Sequence, residues 1–86
     1  MTIEKRLNEV KLGETFKRSE AHQGTVTYKK VGELKKSLAY ANEYLMRCLV
    51  VDCTQKDSYI GKNIGNEVFV TSTIKCGKLG KVRLLT

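Results

Sequence analysis

The 86-residue chain carries sixteen Lys and Arg against nine Asp and Glu, a formal charge of +7, and is 41% hydrophobic. That apolar share suffices for a folded core and excludes a wholly disordered basic tail; the length predicts one small domain, residues 1–86, of modest stability. No apolar run approaches the roughly 20 residues that span a bilayer, and the charged stretch Met1 to Lys11 lacks the apolar segment of a secretory leader.

Residues Ile3 to Lys11 read two ways. Ile3, Leu7 and Val10 follow helical spacing, while Val10 and Leu12 alternate as in a strand. Leu12-Gly13-Glu14 then turns the chain, with Phe16 as an apolar anchor, and the polar stretch Ser19 to Gly24 reads as an exposed loop. Thr25 to Val31 predicts a strand with Val26 and Tyr28 on one face. The segment Glu33 to Met46 carries a helical signal, because Leu34, Leu38, Ala41 and Leu45 form one apolar stripe. Its weakness is the exit: no Gly or Pro separates it from the next segment. The competing reading makes Asn42-Glu43 a turn between two strands, with Tyr40 and Tyr44 as β-formers.

Arg47 to Thr54 is rich in β-branched residues and predicts a central strand buried on both faces. Gln55 to Ser58 is a polar turn, and Gly65-Asn66 turns the chain into Glu67 to Cys76. There Val68, Val70, Ser72, Ile74 and Cys76 share one face, the pattern of a half-buried strand. Gly77 and Gly80 bracket a turn, and Val82 and Leu84 begin a last strand. These elements predict a β-rich α+β fold: a small curved antiparallel sheet or open barrel with one helix, residues 33–46, packed on it.

Chemistry-bearing patterns are sparse. Cys48, Cys53 and Cys76 are an odd set for a disulfide scaffold and read as reduced core thiols of a cytoplasmic protein. A zinc site would have to recruit His22, and the spacing of Cys48 and Cys53 sends them to opposite faces of a regular strand. One histidine offers no visible nucleophile–base pair, so neither an enzyme, a cofactor nor a metal is expected. Gly80-Lys81 lacks the first glycine and the hydroxyl of a phosphate-cradling loop. Gly61 and Gly65 enclose three residues where a KH-type loop has two, and a β-rich segment follows where a helix is required.

The order Leu12-Gly13-Glu14-Thr15-Phe16, Tyr28-Lys29-Lys30-Val31 and a mid-chain apolar strand resembles small β-barrel accessory proteins of phage early genes. The resemblance covers about half the chain and transfers no functional residue. It implies a phage-encoded accessory protein that acts in the host cytoplasm on a host protein.

Charge gives the remaining direction. Residues 1–43 hold nine basic and six acidic side chains and residues 44–86 hold seven and three, so the excess is +3 and +4. The stretch Lys75 to Thr86 contains Lys75, Lys78, Lys81 and Arg83 and no acid, and a second cluster comprises Lys29, Lys30, Lys35 and Lys36. A third is Lys17-Arg18, with Lys11 upstream. If the last two strands pair through the Gly77–Gly80 turn, the first cluster crowds one end of the sheet. The expected function is nucleic-acid binding, DNA or RNA, through this Lys-rich face, with Phe69 and Tyr59 as stacking residues. Lys outnumbers Arg twelve to four, which also suits a merely solubilising surface. The alternative partner is an acidic host protein bound by a small inhibitor or adaptor, with the Glu67–Cys76 edge augmenting its sheet. A homodimer is open to either reading, and a membrane partner is not expected.

Overall fold

The computed structural model describes residues 3–84, so Leu85 and Thr86 of the basic C-terminal stretch lie outside the described residues. Seven strands follow in chain order: β1 Ile3–Arg6, β2 Thr15–Glu20, β3 Gly24–Lys30, β4 Lys35–Lys36, β5 Glu43–Cys53, β6 Glu67–Thr73 and β7 Lys81–Leu84. Short 3-10 turns occupy Leu7–Glu9 and Gly61–Asn63. Every strand pairing is antiparallel, and β1, β7, β2, β3 and β5 lie side by side in that order. The long β5 pairs β3 and β4 along one edge and β6 along the other. An irregularity of register between Thr27 and Tyr28 lets the sheet bend, as bulges do. The result is a curled half-barrel.

Alternation of side chains fixes what the concave face holds. Phe16 faces Tyr28 across β2 and β3, and Tyr28 faces Val50 across β3 and β5. Met46 faces Val70 across β5 and β6, and all five side chains are buried. Leu7, Val10, Leu79, Val82 and Leu84 close the ends of this core. Cys48 and Cys53 belong to it as expected, whereas Cys76 is exposed, which corrects its assignment to the core.

The expected helix over residues 33–46 is absent: this stretch forms β4, a turn and the start of β5. Tyr44, Met46, Cys48 and Val50 alternate in one phase, so inward packing continues without a break across the supposed helix end. Ser37 makes the turn. Its Oγ accepts the N–H of Ala39 at 3.1 Å and of Tyr40 at 3.3 Å, and its own N–H donates to the Glu43 carbonyl at 2.8 Å. Leu38, in the apolar stripe, is fully exposed. The turn between two strands is the reading the structure follows.

Other expectations shift as well. Ile3 to Lys11 is neither one helix nor one strand, because β1 gives way to the 3-10 turn at Leu7. β5 is buried on one face only, with Arg47 and Val51 exposed on the other. The last two strands do not pair: β7 sits between β1 and β2, while β6 pairs β5 alone. Among the described residues no helix is long and apolar enough to cross a membrane.

Two buried groups make the core sensitive to alkali. Burial pushes the Cys48 thiol up to about 12. Burial, together with the hydrogen bond to Glu20, raises the Tyr28 phenol well above its ordinary value. Both groups stay protonated in the folded chain where the unfolded chain ionises, so stability falls as pH rises. The loss begins near pH 9 for Cys48 and near pH 10 for Tyr28, at up to about 1.4 kcal/mol per pH unit for each proton. Denaturant titrations between pH 7 and 11 should show this decline, and Cys48→Ala should remove the part that starts lowest. A flat profile over that range would count against the assignment.

Candidate functional site

The half-barrel is open between β6 and the outer half of β2. Among the described residues β7 pairs β2 at Phe16 and Lys17 alone, which leaves Arg18 to Glu20 without a neighbour on that side. Across the opening, β6 presents a free edge. The Ile74 N–H donates toward β5, to the Asn42 carbonyl at 2.7 Å, and amide direction alternates along a strand. The main-chain groups of Phe69, Thr71 and Thr73 therefore face away from β5, toward the opening.

Two adjoining grooves run along this opening and share Arg18 and Thr71. The first, of about 470 Å³, is lined by Arg6, Arg18, Lys75 and Lys78, by the hydroxyl residues Thr71, Ser72 and Thr73, and by Leu79 and Gly80. No carboxylate lines it. The second, of about 330 Å³, carries Tyr59, Ile60, Val68 and Phe69 on one side and Glu20, Ala21, Gln23 and Tyr28 on the other. One end of the opening is basic and the other aromatic.

Local chain geometry builds the basic end. Cys76 and Gly77 both have positive φ, 53° and 75°, as the tightest hairpin turns require at their two central residues. Lys75 and Lys78 close that hairpin with reciprocal main-chain hydrogen bonds of 2.9 and 3.0 Å. Directly opposed residues point to one face, so the two lysine side chains leave the turn on the same side, where like charges cost stability. Arg6 donates from Nη1 to the Leu79 carbonyl at 2.7 Å, which anchors its guanidinium over the same turn. Gly80 N–H donates to Ser72 Oγ at 3.1 Å and draws the hairpin toward β6.

Arg18 stands where the two ends meet. It shares the concave face of β2 with Phe16 and Glu20. Its Nε pairs with Glu20 Oε1 at 3.0 Å, and the Tyr28 hydroxyl donates to Glu20 Oε2 at 2.7 Å. Its Nη1 is shielded and, among the described residues, has no hydrogen-bond partner. A shielded charged donor without an acceptor costs about 1–3 kcal/mol or more.

The eight basic residues expected at the site do not form one surface. Lys75 and Lys78 line the basic groove, and Lys81 lines a small recess beside it with Arg18 and Ser72. Arg83 lies on the outer face beside Lys17, its cross-strand partner. Lys29 and Lys35 stand on the convex side, where Lys35 borders a hollow with Arg47 and Phe69. Lys36 is exposed on β4 opposite Tyr44. Lys30 departs from its expected role. It is only 6% exposed, its Nζ donates to the Val10 carbonyl at 2.8 Å, and it pairs with Glu33 at 3.9 Å. It ties β3 to the Val10 segment and is withdrawn from any surface patch.

Phe69 and Tyr59 are 65% and 76% exposed and both border the aromatic groove, Phe69 from the convex face that it shares with its partner Arg47. Gly61, in the loop that loosely resembles a phosphate clamp, is buried instead, and a Cβ there would run into the Gln55 carbonyl and the Lys56 main chain. Its glycine serves packing. Sequence reasoning did not assign Arg6 or Arg18 to the site; Arg18 was visible only as part of a Lys17-Arg18 pair. Among the described residues, no three His, Cys, Asp or Glu side chains gather as a metal site. In comparison with known proteins, the chain matches no family model, no curated protein and no solved structure.

Proposed function

We propose that this chain is a non-enzymatic nucleic-acid-binding protein that holds a single strand in the opening between β2 and β6. The observation that carries the reading is the order of chemistry along that opening. Arg6, Arg18, Lys75 and Lys78 form an end without carboxylates, and Tyr59 and Phe69 follow at the other. Cations there attract the phosphate backbone, and exposed rings there stack on unpaired bases. The opposed lysines support it further, since an anion between them offsets their mutual repulsion. The site would lie in the cytoplasm, the compartment that three unpaired thiols suit best.

Fluorescence anisotropy with labelled single- and double-stranded DNA and RNA, across a salt series, tests this directly. Four phosphate contacts predict a slope of log K against log salt of about −3 for a single strand. Single strands should bind more tightly than duplex of the same length. Equal binding of duplex, or a slope near zero, would sink the reading.

One observation favours a second reading. β6 has a free main-chain edge with Phe69 exposed beside it, which suits a partner strand. On that reading the chain is a small adaptor or inhibitor of phage type that docks on an acidic host protein, steered by the same lysines. Competition separates the two: a short oligonucleotide should displace a nucleic acid and leave a strand-paired protein in place.

A further inference from the structure

We infer that Arg18 holds one phosphate group of the bound strand, and that Glu20 and Tyr28 are positioning residues that aim it. This rests on the nucleic-acid reading above and names the contact at its centre. The chain of hydrogen bonds runs from the Tyr28 hydroxyl to Glu20 Oε2, at 2.7 Å, and from Glu20 Oε1 to Arg18 Nε, at 3.0 Å. Tyr28 is itself locked in the core, 1% exposed, with its ring centroid 5.5 Å from that of Phe16. A flexible arginine is thus fixed by its Nε edge to a rigid support, and a ligand meets the part of the guanidinium other than the shielded Nη1. Nη1 is shielded and has no partner among the described residues. A guanidinium oriented in this way donates a directed N–H to a phosphate, where a lysine supplies only a point charge.

The position fits an oxyanion on one side only. Glu20 lines the aromatic groove and is neutralised by Arg18, while the basic groove beyond Arg18 contains Lys75 and Lys78 and no carboxylate. A phosphate on that side meets Arg18, the two lysines and the free main-chain groups of Thr71 and Thr73. The group is either an internal phosphodiester or a terminal monoester, and the two share this chemistry.

Titration with sodium phosphate against sodium chloride at constant ionic strength, read at the Arg18 Nε–H resonance by NMR, tests the site in the intact chain. The resonance should move saturably with phosphate. Arg18→Lys keeps the charge and loses the oriented guanidinium, and should weaken phosphate at least about tenfold. Tyr28→Phe keeps the ring and frees Glu20, and should weaken it about threefold or more while the folded spectrum persists. Oligonucleotides with and without a 5′-phosphate identify the source. Preference for the phosphorylated end, lost in Arg18→Lys, marks a monoester, and equal weakening of both marks a diester. An unmoved Arg18 resonance, with Arg18→Lys binding oligonucleotide as the parent chain does, overturns the inference and leaves the nucleic-acid reading to Lys75 and Lys78. Phosphate binding at Arg18 without any oligonucleotide binding upholds the anion site and defeats the nucleic-acid reading.

Discussion

Phe16→Ala should destabilise the chain by about 3–5 kcal/mol, a large share of the 5–15 kcal/mol typical of a whole domain. The ring is fully buried on the concave face of β2 and packs at a 35° tilt against Tyr28. It also sits at one of the two register positions that join β2 to β7 among the described residues, opposite Leu84. Truncation therefore opens a cavity and loosens the seam that attaches β7, and through it β1, to the rest of the sheet. Phe69→Ala is the matched control, because its ring is exposed and its loss should cost within about 0.5 kcal/mol. Urea denaturation of both variants checks the pair. A cost below about 1 kcal/mol for Phe16→Ala would mean the two halves of the sheet are held together by something other than this contact.

Much of the fold was legible where side chains obey a simple alternation. Val26 and Tyr28 marked β3, and Val68, Val70 and Ser72 marked β6, because inward apolar and outward polar residues take turns there. β2 was hidden for a physical reason. Its inward residues are Phe16, Arg18 and Glu20, so two charges occupy positions where a strand normally shows apolar side chains. Those charges compose the centre of the candidate site, and the feature that concealed the strand is the feature that equips it. The helix expected over residues 33–46 failed differently. Leu34, Leu38, Ala41 and Leu45 fit a helical stripe, but Tyr44, Met46, Cys48 and Val50 fit a strand that runs on past the supposed helix end. Pairing on both edges of β5 decided between the periods, and that pairing is non-local.

The candidate site was legible in part, through charge. Linear clustering identified Lys75 and Lys78, which the hairpin at Cys76 and Gly77 then brings together. It failed for Lys29 and Lys30, since neighbours on a strand point to opposite faces. Lys29 is exposed, whereas Lys30 shares the face of Val26 and Tyr28 and is buried. Alternation alone places Lys30 inside once β3 is recognised. Arg6 and Arg18 come from β1 and β2 and reach the lysines only through the curl of the sheet. No linear pattern reports such a meeting.

Lys75→Ala with Lys78→Ala should weaken single-strand binding by about 10- to 100-fold near 50 mM salt and reduce the salt slope by about 1.4, the value for two lost contacts. The same double variant should fold at least as stably as the parent chain. Two lysines at directly opposed positions repel, and among the described residues neither has a carboxylate partner in an ion pair. Removing both relieves the repulsion while the turn, set by the main chain at Cys76 and Gly77, stays in place. Lower affinity with equal or higher stability is the signature of residues kept for binding at some cost to the fold. Lys29→Ala with Lys35→Ala removes the same charge from the convex side and should leave the slope within error, because those residues lie outside the opening. If the convex pair lowers the slope as much as the hairpin pair, the strand is attracted by net charge alone and the groove has no special role. If the hairpin pair weakens binding and also destabilises the chain, the loss reflects a damaged turn, and the lysines are structural.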